Sequence, residues 1–433
     1  MSTTEAPEIS LATDTPSINR WWIVVAGFIS LIVGVNTVSV LWNVLTPSFK
    51  TAFGWSNLEI SNGLSIFIVF DGISIFTMGF LVDKFGVRRV APPLAAVFGL
   101  GIAALSIVPD NLAVFYVICI IIGCGCGPAT QAAYSIVIRA WFGRRRGLAL
   151  GILNVGLGLC TTIMPLIAGA LLTAVGWRGT VGIVGLISAV VLVTGYLLVA
   201  RMPKQYEVER LRAAKEGRTP GIPFRTIVKT SPRAFWIVCI SVFLLSAGTA
   251  GVLGQIVPIA TGQGATLKTG LALLSVSGLS SIASRFVVGY FLDRVFAPVV
   301  AAIVFVLCGV GLALMITTHA TPILFLGAIL IGLGPGSESD VIAYIISRYV
   351  PEHSYGRIYG FAMFLYAQGT ALGIFMLGYS ITKTGSALTA AWAIVAMAIV
   401  SAIVILFQGP YKYKVDGTAN PVGQRQKIWA PTN

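Results

Sequence analysis

Long apolar runs are the feature that most limits what this chain can fold into. A dozen segments, each of roughly 17 to 28 mostly apolar residues, follow one another along the sequence, and each could cross a bilayer core of about 30 Å. Only 10% of the 433 residues are charged, against about 25% in an average soluble domain. The sequence therefore predicts an integral membrane protein and excludes a soluble globular domain.

The runs indicate helices rather than the strands of a membrane barrel. Strands of that kind alternate between apolar and polar residues, whereas residues 66–70 and 299–310 are continuously apolar. We predict an all-α polytopic membrane protein with twelve transmembrane helices, here called spans 1 to 12, at residues 21–47, 58–80, 89–108, 112–138, 147–174, 179–200, 235–259, 270–292, 297–316, 322–346, 357–382 and 386–408.

The basic residues are divided unequally between the two sides of these spans. Of the 29 Lys and Arg residues, Arg285 lies inside a span, and the few on one side are Lys50, Arg178, Lys268 and Lys383. All the others lie on the opposite side, which the positive-inside rule makes cytoplasmic. We therefore predict that both termini are cytoplasmic and that the protein lies in a plasma membrane, the inner membrane of a bacterium.

The same pattern divides the chain into parts. We predict a cytoplasmic tail (1–20), a six-helix bundle (21–200), a basic cytoplasmic linker (201–234), a second bundle (235–408) and a cytoplasmic C-terminal tail (409–433). The first residues lack the basic start and cleavage site of a secretory signal, so we expect span 1 to be retained. The net charge of +14 arises between spans, which predicts contact with membrane lipids and no nucleic acid.

An internal repeat relates the two bundles. Residues 79–84 (GFLVDK) correspond to residues 289–294 (GYFLDR) at an offset of 210, and Gly127-Pro128 corresponds to Gly334-Pro335. Trp22 likewise corresponds to Trp236. Two similar six-helix bundles can rock about a shared central site, which favours alternating access over a continuous pore.

The repeated loop carries a resemblance to a known family. Residues 79–89 (GFLVDKFGVRR) resemble the loop motif between helices 2 and 3 of the major facilitator superfamily, and the likeness extends over all twelve predicted spans. The resemblance implies the major facilitator fold and a cytoplasmic conformational latch. The latch residues would be Gly79, Asp83, Gly86, Arg88, Arg89, Asp293 and Arg294. The second copy of the motif, which begins at residue 289, lacks the glycine and the arginine pair that follow Asp83 in the first copy.

Four ionisable residues inside the spans are candidates for function. Asp71, Arg285, Glu338 and Asp340 lie at comparable depth, between the midplane and the predicted cytoplasmic side. Charges in this position are costly and are functional candidates by default. We expect the four side chains to share one buried polar cavity.

Their chemistry points to an anion and a proton. Arg285 keeps its charge and offers a planar fork that suits a carboxylate, but it could instead only neutralise Asp340 or Glu338. Because three carboxyl groups exceed one arginine, burial favours a bound proton on at least one of Glu338, Asp340 and Asp71. Sodium bound by Glu338 or Asp340 is the alternative.

Span 8 carries a second, narrower resemblance. Residues 285–289 (RFVVG) resemble the helix-8 arginine motif of the monocarboxylate transporters and of the oxalate:formate antiporter branch, whose members recognise carboxylates with that arginine. The aspartate typical of animal monocarboxylate transporters is replaced by Ser281, and the antiporter's second cationic ligand would fall near Tyr366. One cation instead of two favours a monocarboxylate, either short-chain or aromatic.

Further polar residues are candidate substrate ligands, with hydrogen bonding between helices as the alternative role. They are Asn36, Asn43, Tyr134, Gln255 and Tyr366. The chain has no phosphate-binding loop, nucleophile elbow or metal-ligand cluster. We therefore predict no enzyme activity, no cofactor and no metal.

The sequence thus predicts a monomeric secondary carrier that moves a small organic anion with a proton. Three alternatives remain: an organic anion exchanger, an exporter of amphipathic compounds, and a transporter-like nutrient receptor. Exchange would need a counter-substrate and ignore a pH gradient, whereas amphipathic export would tolerate neutralisation of Arg285.

Overall fold

A computed structural model describes residues 20–142, 146–199, 233–292, 294–349 and 352–411. Within these ranges the chain is helical and contains no β-strand. Nearly all of the predicted tails and linker lies outside the described residues, so those boundaries stay predictions.

The N-terminal half consists of seven helices: α1 (Trp21–Ile32), α2 (Val35–Phe53), α3 (Asn57–Phe85), α4 (Val87–Ala104), α5 (Leu112–Gly125), α6 (Gln131–Trp141) and α7 (Arg146–Val199). The C-terminal half consists of α8 (Arg233–Gly248), α9 (Ala250–Leu253), α10 (Ile256–Gly262), α11 (Leu267–Leu292), α12 (Ala297–Thr317), α13 (Thr321–Tyr349), α14 (Glu352–Thr384) and α15 (Leu388–Leu406).

Ten helical stretches of the described chain are long and apolar enough to cross a membrane. The difference from twelve predicted spans has two causes. Spans 5 and 6 are joined in α7, which turns at Gly176, where φ is 71°. Span 4 is divided into α5 and α6. The structure thus confirms an all-α polytopic membrane protein, and it corrects the prediction of one unbroken helix at 112–138.

The break in span 4 is stabilised by side chains. A short 3-10 turn at Gly127–Ala129 separates α5 from α6, as expected where Pro128 cannot donate a backbone hydrogen bond. The Ser74 hydroxyl accepts from the N–H of Gly127 at 2.9 Å, and the Tyr196 hydroxyl donates to the carbonyl of Pro128 at 2.6 Å. Because lipid offers no hydrogen bonds, such partners are required wherever a helix is interrupted.

Local signals define the turn between α2 and α3. α2 ends at Gly54 in the left-handed conformation, with a φ of 70°. α3 then begins with a capping box, in which the N–H of Glu59 donates to Ser56 Oγ and the N–H of Ser56 donates to Glu59 Oε2. We call this end of the molecule the α2–α3 end; the orientation predicted from the basic residues would make it the outer end.

Helices α11 and α13 approach closely through two glycines. A Cβ at Gly332 would lie 2.3 Å from the carbonyl oxygen of Ser277, and one at Gly336 would lie 2.2 Å from that of Ser281. Spacing small residues by four lets the backbones of membrane helices touch. This contact fixes the position of α13 relative to Arg285 on α11.

The two halves also contact each other directly. α3 packs against α14, and α7 packs against α11. The Ser65 hydroxyl donates to the carbonyl of Ala371 at 3.0 Å, and the N–H of Leu58 donates to the Thr382 hydroxyl at 2.8 Å. A cavity lies between these two lines of contact.

Candidate functional site

A cavity of about 190 Å³ lies between the two halves. Its wall is mainly apolar and includes Ile68, Ile75, Leu274 and Met363. The polar side chains on the wall are Asn36, Ser39, Asn43, Asp71, Thr130, Gln131, Thr161, Ser277, Ser281, Arg285, Glu338, Ser339, Tyr359, Tyr366 and Thr370. The wall is mainly apolar by surface area, and apolar surface combined with convergent polar groups is the usual form of a small-molecule site.

Among the described residues that line the cavity, Arg285 is the positively charged side chain. Its guanidinium pairs with Asp340 at 3.2 Å and makes a longer contact of 3.5 Å to the carbonyl of Pro335. Its Nε is buried and has no hydrogen-bond partner within the described chain. The guanidinium therefore keeps donor capacity beyond its contact with Asp340.

Of the four ionisable residues expected to share the cavity, Asp71, Arg285 and Glu338 line its wall. Asp340 does not belong to that wall and approaches Arg285 from beside it, which corrects the prediction for this residue. The side chain of Arg285 is 6% exposed, whereas that of Asp340 is 39% exposed. The acid is therefore the less enclosed member of the pair, and the arginine is the more enclosed one. The geometry therefore fits both roles predicted for Arg285, pairing with an acidic side chain and binding a carboxylate.

Glu338 and Asp71 bring two further carboxyl groups to the wall from opposite halves. Glu338 on α13 is 2% exposed, and Asp71 on α3 is 7% exposed. Both oxygens of Glu338 and Oδ1 of Asp71 are buried and lack a hydrogen-bond partner in the described parts of the chain. A charged carboxylate in that state is strongly disfavoured, so a proton or a cationic group is the expected partner.

The structure brings three of the predicted substrate ligands to the cavity. Asn36, Asn43 and Tyr366 line its wall. Asn36 makes only long hydrogen bonds, to the carbonyl of Leu157 at 3.3 Å and to Thr161 at 3.4 Å, and both partners lie in its own half. Asn43 makes one hydrogen bond in its own half, to the carbonyl of Ser39 at 2.9 Å, and two to the other half.

The other two predicted ligands have different surroundings. The hydroxyl of Tyr134 is 2.8 Å from that of Ser30, and its ring stacks on Tyr196 at 4.6 Å. The Gln255 amide donates to Ser61 at 2.8 Å. Neither residue belongs to the cavity wall. We therefore interpret both as residues of helix packing.

Several wall residues were not predicted from the sequence. Ser39, Thr161, Ser339 and Thr370 are small hydroxyl residues of a kind that is common in membrane helices. Such hydroxyls readily bond to the carbonyl four residues earlier, as Thr161 does with Leu157 at 3.2 Å. Their sequence context therefore gives no signal that distinguishes a wall residue from a packing residue.

The predicted latch lies at the turn between α3 and α4. Gly86 separates the two helices with a φ of 84°, and Arg88 and Arg89 are exposed. The guanidinium of Arg294 lies 3.7 Å from the ring centre of Tyr290. The Asp83 side chain and Asp293 lie outside the described parts, so the latch stays a prediction.

Comparisons with known proteins agree with this architecture. Residues 26–374 match the family described as the Major Facilitator Superfamily. The uncharacterized MFS-type transporter YcxA of Bacillus subtilis is 28% identical over 246 residues, which is 55% of this chain and 57% of that protein.

Two other relatives are named for what they carry. Monocarboxylate transporter 10 of Mus musculus is 32% identical over 162 residues, covering 37% of this chain and 30% of that protein. The probable L-galactonate transporter of Escherichia coli is 27% identical over 176 residues, covering 40% and 38%. This chain thus aligns with little more than half of the first relative and with about a third of the other two. Since the family match covers most of the described helices of both halves, the chain belongs to the Major Facilitator Superfamily.

Proposed function

We propose that this transporter is a secondary carrier that moves a small organic anion, a short-chain or aromatic monocarboxylate, together with a proton. The observation that carries the proposal is the position of Arg285 on the wall of a cavity shared by both halves, beside an acid that can exchange for a substrate. Charge-assisted contacts between guanidinium and carboxylate are strong and directional.

The ion pair suggests how anion and proton are linked. When the carboxylate of the substrate contacts Arg285, it replaces the Asp340 carboxylate, now 3.2 Å away. Asp340 then has no cation, and taking up a proton removes its charge. One anion and one proton enter together, so the charge near Arg285 is unchanged and no charge is left unpaired.

Glu338 and Asp71 are further candidates for the proton. Their unpartnered, buried oxygens favour the neutral acid over the carboxylate. Since Glu338 belongs to the C-terminal half and Asp71 to the N-terminal half, a rocking motion of the halves changes the surroundings of both. A carboxyl group whose surroundings differ between two conformations can bind a proton on one side and release it on the other.

The relatives support an acid as substrate. One is named for monocarboxylates and another for L-galactonate, which is itself a carboxylate. The single arginine favours one carboxylate over two. We further propose a monomer in a plasma membrane with both termini cytoplasmic, and a cytoplasmic latch formed by Gly79, Asp83, Gly86, Arg88, Arg89, Asp293 and Arg294.

Transport by the purified protein in proteoliposomes tests the proposal. Labelled short-chain and aromatic monocarboxylates are offered with and without an inward proton gradient, with no anion inside and with sodium replaced by choline. Gradient-stimulated uptake of one acid, absent in protein-free vesicles, is the expected result. Uptake only into vesicles preloaded with a carboxylate would replace symport with exchange. If every acid fails under both conditions, the anion proposal is wrong and export of amphipathic compounds should be tested.

A further inference from the structure

Asn43 of α2 fills a gap in a helix of the opposite half. Span 7 is interrupted where α9 ends at Leu253 and α10 begins at Ile256. In a continuous helix the N–H of Val257 would donate to the carbonyl of Leu253, four residues earlier. Instead, Asn43 Oδ1 accepts from the N–H of Val257 at 3.0 Å, and Asn43 Nδ2 donates to the carbonyl of Leu253 at 3.1 Å. The side-chain amide thus occupies the place of one backbone hydrogen bond.

The local sequence makes this point of the helix easy to open. Gly254 lowers helix stability, and Pro258 cannot donate a hydrogen bond to the carbonyl of Gly254. Insertion of a side chain into the hydrogen-bond ladder is a recognised cause of helix kinks. Asn43 is only 1% exposed. Without its amide, the carbonyl of Leu253 and the N–H of Val257 would both be buried without a partner as long as the helix stays open.

The contact lies where the two halves correspond to each other. Trp22 and Trp236, which begin the equivalent spans 1 and 7, are 214 positions apart, and so are Asn43 and Val257. Asn43 therefore contacts its own counterpart. Nearby, Gln255 donates to Ser61 of the other half at 2.8 Å, so the inserted amide is part of a polar junction toward the α2–α3 end.

Two arrangements satisfy the same backbone groups. With Asn43 inserted, Leu253 and Val257 are bonded to its amide, α9 and α10 are separate, and the halves are joined. With Asn43 withdrawn, the N–H of Val257 can bond to the carbonyl of Leu253, which joins α9 to α10. A buried backbone group needs a partner in either case, so an intermediate position is disfavoured and the element has two discrete states.

We propose that Asn43 is a positioning residue that closes the α2–α3 end of the cavity by inserting between Leu253 and Val257. Opening of this end requires withdrawal of Asn43 and closure of α9 and α10 into one continuous helix. The proposal relies on alternating access in the proposed function, but it is independent of the substrate and of the coupling ion.

Distance measurements between spin labels test this role without any substrate. Labels are attached at Thr51→Cys and Lys268→Cys, two exposed positions toward the α2–α3 end, one in each half. Cys124→Ala removes the exposed native cysteine, since the other five are buried. In Asn43→Leu we expect the ratio of long to short distances to rise about tenfold or more, because two hydrogen bonds of the short-distance state are lost.

A matched control separates this effect from general damage to α2. Asn36→Leu removes an amide from the same helix, but one whose partners lie in its own half, so the distances should stay as in the unmodified protein. Hydrogen exchange of residues 253–260 supplies a second readout. In Asn43→Leu the amide of Val257 should stay protected, since it then bonds to Leu253. A fast-exchanging Val257 would overturn the closure of α9 and α10.

A change on the other side of the contact gives an independent test if Asn43→Leu fails to fold. Pro258→Ala restores an N–H that can donate to the carbonyl of Gly254, so it favours the continuous helix and should also lengthen the distances. Unchanged distances in the folded variants would overturn the proposal. Because no substrate is present, that result would leave the transport proposal standing, and a failed uptake assay would leave this proposal standing.

Discussion

Arg285 and Asp340 form an ion pair of 3.2 Å whose two members differ in how far the rest of the protein covers them. The arginine is almost fully covered, while more than a third of the aspartate side chain is exposed. The acid is therefore the less enclosed member of the pair. This difference supports the proposal that Asp340 is the exchangeable partner of Arg285, and it leads to separate predictions for the two residues.

Replacement of Arg285 should abolish recognition of the anion. In Arg285→Ala we expect uptake of the preferred monocarboxylate to fall by more than tenfold, since losing one partner of a desolvated charge pair costs about 2–5 kcal/mol. Arg285→Lys should keep part of the activity, because the charge remains but the fork is lost. The control is Lys268→Ala, which removes an exposed cation. Normal transport by Arg285→Ala would contradict a role in binding.

Neutralisation of Asp340 should tighten binding while weakening the coupling. Asp340→Asn removes the carboxylate that competes for Arg285, so we expect KM for the monocarboxylate to fall severalfold. Gradient-driven accumulation should fall as well, because this position no longer takes up a proton. Initial rates with and without a pH gradient measure both effects. Asp110→Asn is the matched control, since an asparagine oxygen can still accept from Trp55 Nε1, now 3.1 Å from Asp110. An unchanged KM would indicate that Asp340 does not compete with the substrate.

Glu338→Gln should separate exchange from proton-driven uptake. The substitution keeps the shape of a side chain that is 2% exposed but removes its proton site. Uptake by the unmodified protein should rise as the external pH falls, because protons then enter with the anion. In Glu338→Gln we expect this rise to become weaker, because one proposed proton site is removed while Asp340 remains, whereas exchange between internal and external substrate should persist.

Glu59→Gln provides the control for that substitution. A glutamine at this position can still accept the hydrogen bond from the N–H of Ser56 in the capping box. Its pH response should match that of the unmodified protein. If Glu338→Gln kept the full pH response, Glu338 would carry no coupling proton, and Asp340 and Asp71 would be the remaining candidates.

The sequence was most informative where a residue type conflicts with its surroundings. Arg285, Glu338 and Asp71 could be predicted as neighbours because charged groups are rare in membrane spans and because the repeat placed them at similar depth. Their grouping on one wall follows from that reasoning. The chemistry of a buried charge narrows the possible positions of its side chain far more than the chemistry of a hydroxyl or an amide.

Uncharged polar residues could not be predicted in the same way. Tyr134 and Asn43 are both candidate ligands by sequence, but Tyr134 packs on Tyr196 away from the cavity wall, whereas Asn43 lines the wall and also bonds to Leu253 and Val257. These outcomes depend on where helices break and rotate. A single long apolar run gives no such information, as span 4 illustrates, where a 3-10 turn divides one predicted helix into α5 and α6.

Gly336 should be essential for the packing that supports Arg285 and Asp340. Gly336 lies one helical turn before Asp340 on α13, and Ser281 lies one turn before Arg285 on α11. The contact between Gly336 and Ser281 therefore brings Arg285 and Asp340 together. A methyl group in Gly336→Ala would meet the carbonyl oxygen of Ser281 at 2.2 Å, so α11 and α13 must separate. Overpacking of this kind costs about 1–3 kcal/mol.

Gly151→Ala is the matched control, since nothing lies within 4 Å of its added Cβ. In thermal unfolding of the detergent-solubilised protein, Gly336→Ala should lower Tm and Gly151→Ala should not. Equal Tm values for the two variants would mean that the helices can separate at little cost, and that the spacing of Arg285 and Asp340 does not depend on this glycine.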